Sequence, residues 1–237
     1  MKNKVYCVIP ARSGSKRIPK KNIKKFAGVP MIVRAIRMAL DTCVFSEVFV
    51  STDDIYIAEI AKNAGASVPF LRPKELSDDY TSSLSVIKHF AANHKIIKNE
   101  DSICCLYATT PFIKSNDLKN AISTFNNKNR NKMIFAAKQY PHPIQRAFFI
   151  DNVGEAKMFD PNNKFTRTQD LRDSYFDAGQ FYIASVNDWK NADLSLERGI
   201  PIVMPKWRCI DIDNSDDWIF SEILYEVLRK KGNIDNP

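Results

Sequence analysis

A chain of 237 residues, 44% hydrophobic and 26% charged, has the composition of one large globular domain and excludes a disordered or collagen-like polymer. No apolar run is long enough to span a bilayer, and the short apolar stretch near the start runs straight into a basic loop, unlike a secretory signal, so the expected location is the cytoplasm. The net charge of +8 is concentrated: eleven of the 35 Lys and Arg, and no acid, fall in the first 40 residues, while the other 197 carry 24 basic and 27 acidic residues. A nucleic-acid binder usually spreads its basic groups over a long face. An excess beside one loop instead suits a compact polyanion such as a nucleoside triphosphate, with a short nucleic-acid-gripping arm as the competing reading.

VYCVI (5–9) is a continuous apolar run ending at Pro10 and reads as a buried strand. Residues 10–25 form a polar, basic loop, and 31–43 place apolar side chains at helical spacing. EVFVST (47–52) reads as a second strand, followed by a helix from Ile55 that stops at Gly65. A further helix begins at 84–90, SICCLY (102–107) is a third buried strand, and 116–125 is another helix with Asp117 near its start. Strand and helix thus alternate, which predicts an α/β fold with a mostly parallel sheet and helices on both faces. From about 133 the rhythm changes: MIFAAK, QRAFFI, EAKMF and QFYIAS all read as strands without full helices between them. Residues 139–180 are therefore expected to be a β-rich insertion within a single domain spanning 1–237, with an arm for a partner subunit. PIVMP and CIDID return to the core, and a closing helix over 215–231 is expected to be capped by Ser215 and ended by Gly232.

Three segments carry chemistry. In IPARSGSKRIPKKN (9–22), small Ser13, Gly14 and Ser15 follow a buried strand and let backbone N–H groups approach an anion, while Arg12, Lys16, Arg17, Lys20 and Lys21 can surround it. The loop has neither GxxxxGK[ST] nor GxGxxG, and a merely solvated basic loop is the alternative. In CIDID (209–213), Asp211 and Asp213 would share one face of a strand and suit Mg²⁺; the alternative is that one of them caps the last helix. The segment 165–183 mixes Arg167, Gln169, Tyr175 and Gln180 with few aliphatics. It could offer hydrogen bonds to a sugar, although its residues alone favour an exposed charged hairpin. The five cysteines, at 7, 43, 104, 105 and 209, match no zinc or redox spacing and read as reduced thiols. His89, His94 and His142 read as ordinary structural or surface residues.

IPARSGSKRIPKKN strongly resembles the N-terminal signature of the CMP-activated acidic sugar synthetases. STDDIYIAEIAKNAGA, LRPKELSDDYTSSLSVIKHF, TTPF and CIDID follow in that family's order, so the resemblance covers about residues 5–231. KRIPKKN, PIQRAF, TRTQDL and YFDAGQFY resemble its pseudaminic acid branch more than its sialic acid branch. Ser13, Arg17, Tyr107, Ile113 and Thr168 stand where the sialic acid branch has other residues. The resemblance implies a Rossmann-like nucleotidyltransferase with a small β-rich dimerisation insertion, forming a homodimer and using Mg²⁺. It implies coupling of CTP to an acidic nine-carbon sugar, for surface glycans or glycosylated flagellin, with no nucleic-acid or membrane partner. N-acetylneuraminic acid, legionaminic acid or KDO are the alternative sugars. By the same resemblance, Arg12, Lys16 and Lys21 would hold the triphosphate, and Asn22, Arg72 and Ser83 the cytosine and ribose. Asp211 and Asp213 would hold the metal. Tyr107, Arg167, Gln169, Tyr175, Gln180 and Phe181 would line the sugar site, some of them reaching it from the partner subunit.

Overall fold

A computed structural model describes residues 3–128, 130–191, 194–232 and 234. Among these the chain runs β1 (Val5–Pro10), β2 (Lys25–Phe26), β3 (Val29–Pro30), α1 (Met31–Asp41), β4 (Glu47–Ser51), α2 (Ile55–Asn63), α3 (Ser83–Asn93) and β5 (Ser102–Leu106). It continues with α4 (Ser115–Asn127), β6 (Ile134–Gln139), β7 (Phe148–Ile150), β8 (Ala156–Met158), β9 (Tyr175–Ser185), α5 (Val186–Asn191), β10 (Ile200–Val203) and α6 (Ser215–Lys230).

The central sheet has the order β10-β6-β9-β5-β1-β4. β1 pairs in parallel with β4 and β5, and β10 with β6, while β9 is antiparallel to both its neighbours. Both faces are covered, which is why β1 and β5 are apolar at nearly every position rather than alternately. Cys7, Ile9, Cys104, Leu106, Phe181 and Ile183 face α1 and α4 on one side. Tyr6, Val8, Ile103 and Cys105 face α3 and α5 on the other, where Phe90 and Trp189 close the layer. All five cysteines are free thiols.

A third cluster fixes the geometry of the site. Phe26 meets Phe112, Trp218 and Tyr225 edge-on, with ring centroids 6.2, 5.6 and 5.4 Å apart. Ile18 and Ile212 pack into the same cluster. The basic loop and the segment before α6 are thereby drawn together although some 190 residues separate them. Arg34 seals this corner, donating to the carbonyls of Phe26 and Ala27 and to the Tyr225 hydroxyl. Those bonds hold the β2–β3 turn, in which Ala27 and Gly28 both take positive φ, 44° and 86°.

The structure differs from the sequence-based expectation in three places. CIDID is not a strand: after β10 the chain makes a short 3₁₀ turn over Lys206–Arg208, and 209–213 forms no regular element. Its carbonyls are taken by side chains, Cys209 O by Lys138 Nζ at 2.9 Å and Ile212 O by Lys21 Nζ at 2.7 Å. The α6 cap is Asn214, not Ser215; Asn214 accepts from Asp217 N, and the Asp217 carboxylate accepts from Asn214 N. Within the outlined 139–180 segment, Gln139 ends β6 and 175–180 begin β9, paired with β6 and β5 in the main sheet. The excursion proper is 140–174. It contains the β7–β8 hairpin and short 3₁₀ turns, and QRAFFI is extended only over Phe148–Ile150.

Candidate active site

The site forms where β1, β4 and β5 end, the position at which open α/β sheets present loops to ligands. The loop after β1 is tied down along its length. Ala11 N donates to Ser51 O at 2.9 Å, and Asn22 Nδ2 donates to Arg12 O at 2.9 Å. Ser13 donates twice to the Asp53 carboxylate, from N at 3.1 Å and from Oγ at 2.7 Å. The result is a cleft of about 210 Å³ lined by Arg12, Ser15, Lys21, Asn22, Arg72, Ser83 and Tyr107, with Asp78, Thr81 and Thr109 at its polar wall.

Each expected triphosphate cation is held by an acid. Arg12 Nη1 lies 2.7 Å and Lys16 Nζ 2.5 Å from the two oxygens of Asp79. Their hydrogen bonds, Lys16 first and then Arg12, hold the Asp79 carboxyl below the usual carboxylate range. Arg17 Nη2 and Lys21 Nζ lie 2.8 and 3.5 Å from Asp213 Oδ1. Of the three amides expected to meet an anion, Ser13 N is committed to Asp53 and Ser15 N to Ser13 O. Gly14 N has no partner among the described residues, and a Cβ added at Gly14 would meet nothing within 4 Å.

Arg72 is 4% exposed. Its N donates to Thr52 O at 2.7 Å, its Nε to Ser77 Oγ at 3.0 Å, and its Nη2 lies 4.0 Å from Asp53 Oδ1. Burial pulls its pKa below the usual arginine value; Asp53 opposes that shift and Arg12 adds to it.

Asp211 and Asp213 flank the fully buried Ile212 and stand beside Lys21. Asp213 is paired, whereas Asp211 makes no hydrogen bond or ion pair among the described residues. Partial desolvation and then the charge of Asp213 raise the Asp211 carboxyl, with Lys21 and Arg17 pulling the other way. An exposed carboxylate with no protein partner among the described residues, beside a second one, is a hard-oxygen donor set that fits Mg²⁺, which needs only one or two carboxylates when phosphate and water complete its shell.

The expected sugar residues divide. Tyr107 lines the cleft, its hydroxyl 2.6 Å from Ser83 Oγ and its ring 5.7 Å from that of Tyr182, which donates to Asp177 at 2.6 Å. Burial raises both phenols above the ordinary tyrosine value. Gln180 is buried beneath it, with its backbone O bonded to Tyr107 N and its side-chain Oε1 lacking a partner among the described residues. Phe181 is different: it is fully buried and packs in the core on the other face of β9, so it reaches no cleft surface. Ile113, singled out with Tyr107 as a departure from the sialic acid branch, is likewise in that core. Arg167, Gln169 and Tyr175 lie outside the cleft; Arg167 and Gln169 belong to the excursion, Arg167 paired with its neighbour Asp170.

Residues 6–188 match the family described as cytidylyltransferase. The chain is 41% identical over 98% of its length to the whole of the pseudaminic acid cytidylyltransferase of Campylobacter jejuni subsp. jejuni serotype O:23/36 (strain 81-176). It is 30% identical over 97% of its length to 56% of an N-acylneuraminate cytidylyltransferase of Streptococcus agalactiae serotype III (strain NEM316). Its fold matches a CMP:2-keto-3-deoxy-manno-octonic acid synthetase solved with CTP, at a TM-score of 0.69 and 17% identity, over 96% of this chain and all of that one.

Proposed function

From the premise that this chain belongs to the cytidylyltransferase family, we propose that it transfers CMP from CTP to pseudaminic acid and releases pyrophosphate. The observation that carries this reading is the convergence of Arg12, Lys21 and Arg72 on one cleft, with Asp211 and Asp213 beside Lys21. The anomeric hydroxyl of the sugar attacks the α-phosphorus, the bond to the bridging oxygen breaks, and pyrophosphate leaves. Catalysis of this kind rests on positioning and charge. Arg12, Lys16 and Lys21 bind the triphosphate and stabilise the charge that grows on the leaving group. Asn22, Arg72 and Ser83 hold the nucleoside. Asp211 and Asp213 would hold Mg²⁺, whose chemistry there is polarisation of the phosphate and a lowered pKa for the attacking hydroxyl. Tyr107 faces the sugar, and buried Gln180 holds that tyrosine in place by accepting from Tyr107 N through its backbone carbonyl. Phe181 contributes by packing alone.

The sugar preference rests on Tyr107 and on the similarity to enzymes of that name. An aromatic wall suits a sugar with a deoxy terminus, whereas a wall of hydrogen-bonding groups would reject it. Pyrophosphate release is measured with CTP and pseudaminic, N-acetylneuraminic, legionaminic or KDO acid, with and without EDTA. Pseudaminic acid is expected to give a kcat/KM about tenfold or more above that of N-acetylneuraminic acid, because apolar discrimination yields roughly 1–3 kcal/mol. EDTA is expected to stop turnover and Mg²⁺ to restore it. Equal or better use of N-acetylneuraminic acid overturns the sugar assignment, and turnover unaffected by EDTA overturns the metal.

The homodimer belongs to the same proposal. Phe148, Phe149, Ile150, Phe159 and Phe165 of the excursion are exposed, with the ring centroids of Phe149 and Phe159 5.3 Å apart, apolar surface that a lone protein leaves bare at a cost in solubility. Packing this arm on a second copy covers them and carries Arg167 and Gln169 toward the partner's cleft. Light scattering is expected to give a dimer at micromolar concentration, and a double substitution, Phe148→Asp with Ile150→Asp, is expected to give monomers with a raised sugar KM. A monomeric unsubstituted protein contradicts this. No described helix is long and apolar enough to cross a membrane, and the cytoplasm, where CTP is made, is the compartment this reading assigns.

A further inference from the structure

Asp53 has no part in the reaction described above, yet its carboxylate sits at the junction of the two halves of the cleft. It follows β4, its side chain is 13% exposed, and it takes both hydrogen bonds that Ser13 can donate. Oδ1, which accepts from Ser13 N, is also the oxygen 4.0 Å from Arg72 Nη2. Arg72 is buried, and its Nη1 has no partner among the described residues. One carboxylate therefore anchors the loop that bears Arg12, Lys16 and Lys21, and stands beside the buried guanidinium of Arg72, which lines the same cleft. The next residue, Asp54, is spent otherwise: it caps α2, accepting from Tyr56 N and Ile57 N.

We propose that Asp53 is a positioning residue that sets the phosphate-binding loop relative to Arg72, so that the triphosphate and nucleoside ends of CTP are gripped in register. This rests on the reading of the cleft as a CTP site. Hydrogen bonds to an ionised acceptor are short and strong, and here both come from one residue. Without them the loop keeps its ties at Ala11 and Arg12 but loses the one at Ser13, and a displacement of about 1 Å at such a site costs about a hundredfold in rate.

The full-length chain and its Asp53→Asn, Asp53→Ala and Asp54→Ala forms are compared by CTP binding in calorimetry, by KM for CTP and kcat, and by thermal denaturation. Asp53→Asn can still bond Ser13 but lacks the charge facing Arg72. It is expected to raise the Kd and KM for CTP about tenfold, because the bonds to Ser13 lose their charge assistance and Arg72 loses its nearby counter-charge, with kcat within about threefold. Asp53→Ala releases Ser13 as well and is expected to lower kcat a further tenfold or more. Asp54→Ala is expected to lower Tm and leave both kinetic constants unchanged. A residue that only supports folding would reduce Tm and the active fraction without changing KM. A folded Asp53→Asn with unchanged Kd and KM for CTP overturns the assignment, and decides it even if Asp53→Ala fails to fold. An unsubstituted protein that neither binds nor turns over CTP defeats the reading of the cleft and this inference with it. Turnover of CTP with no effect of Asp53→Asn defeats the inference alone.

Discussion

Asp211→Asn is expected to lower kcat by about a hundredfold to a thousandfold, because charge stabilisation by a bound metal is worth several kcal/mol and each 1.36 kcal/mol is a factor of ten. The substitution is nearly isosteric, and Asp211 has no hydrogen-bond or ion-pair partner among the described residues to lose. It also removes one of two carboxylates on either side of Ile212, where partial desolvation and then the charge of Asp213 raise the Asp211 carboxyl. Stability is therefore expected to change by no more than about 0.5 kcal/mol, in either direction. Asp213→Asn differs, since it leaves Arg17 and Lys21 without their shared acid. The check is the rate of pyrophosphate release across a Mg²⁺ titration, with Tm measured alongside. An Asp211→Asn enzyme that keeps kcat within about threefold speaks against a metal on this carboxylate, and one that unfolds speaks for a structural role.

The parallel core was legible because strands buried on both faces are continuous apolar runs, and VYCVI and SICCLY are such runs. The antiparallel, central place of β9 was not. QFYIAS reads as a strand, but nothing local distinguishes pairing with β5 and β6 from pairing within an insertion. CIDID misled for a related reason. Ile212 is buried between two acids that are not, and this alternation in the sequence does not require a paired strand. The basic loop announced itself by charge. Its acidic counterparts did not, because Asp53 and Asp79 sit in short polar stretches, STDD and SDD, with nothing local to tell them from an acid such as Asp54, which caps α2. Only the fold reveals that Asp53 faces Ser13, 40 residues earlier, or that Asp79 faces Arg12 and Lys16. Phe181 could have been set aside by parity alone. Successive strand residues point to opposite faces, so Phe181 cannot share the face on which Tyr182 packs beside Tyr107.

Lys21→Ala is expected to lower kcat by about a hundredfold or more, the usual loss when one fixed donor to a developing charge is removed, with little change in sugar KM. Lys21 is well suited to such a role. Its side chain is 19% exposed, its Nζ donates to Ile212 O at 2.7 Å, and it lies 3.5 Å from Asp213 Oδ1. An ammonium held by two oxygens of the 212–213 segment has lost much of its freedom before substrate arrives, so little reorganisation remains to be made as charge grows on the departing pyrophosphate. Lys16 offers a contrast within the same loop, with a side chain 83% exposed and a single acid, Asp79, beside it. Lys16→Ala is expected to act mainly on KM for CTP, since a mobile, hydrated cation contributes similarly to the ground state and the transition state. The loss of the bond to Ile212 O is separated from the loss of charge by Lys21→Arg, which keeps the charge and changes the geometry. Single-turnover release of pyrophosphate, read against KM for CTP and sugar, distinguishes these outcomes. A Lys21→Ala enzyme with unchanged kcat and only weaker sugar binding would remove Lys21 from the leaving-group side and place it with the acceptor.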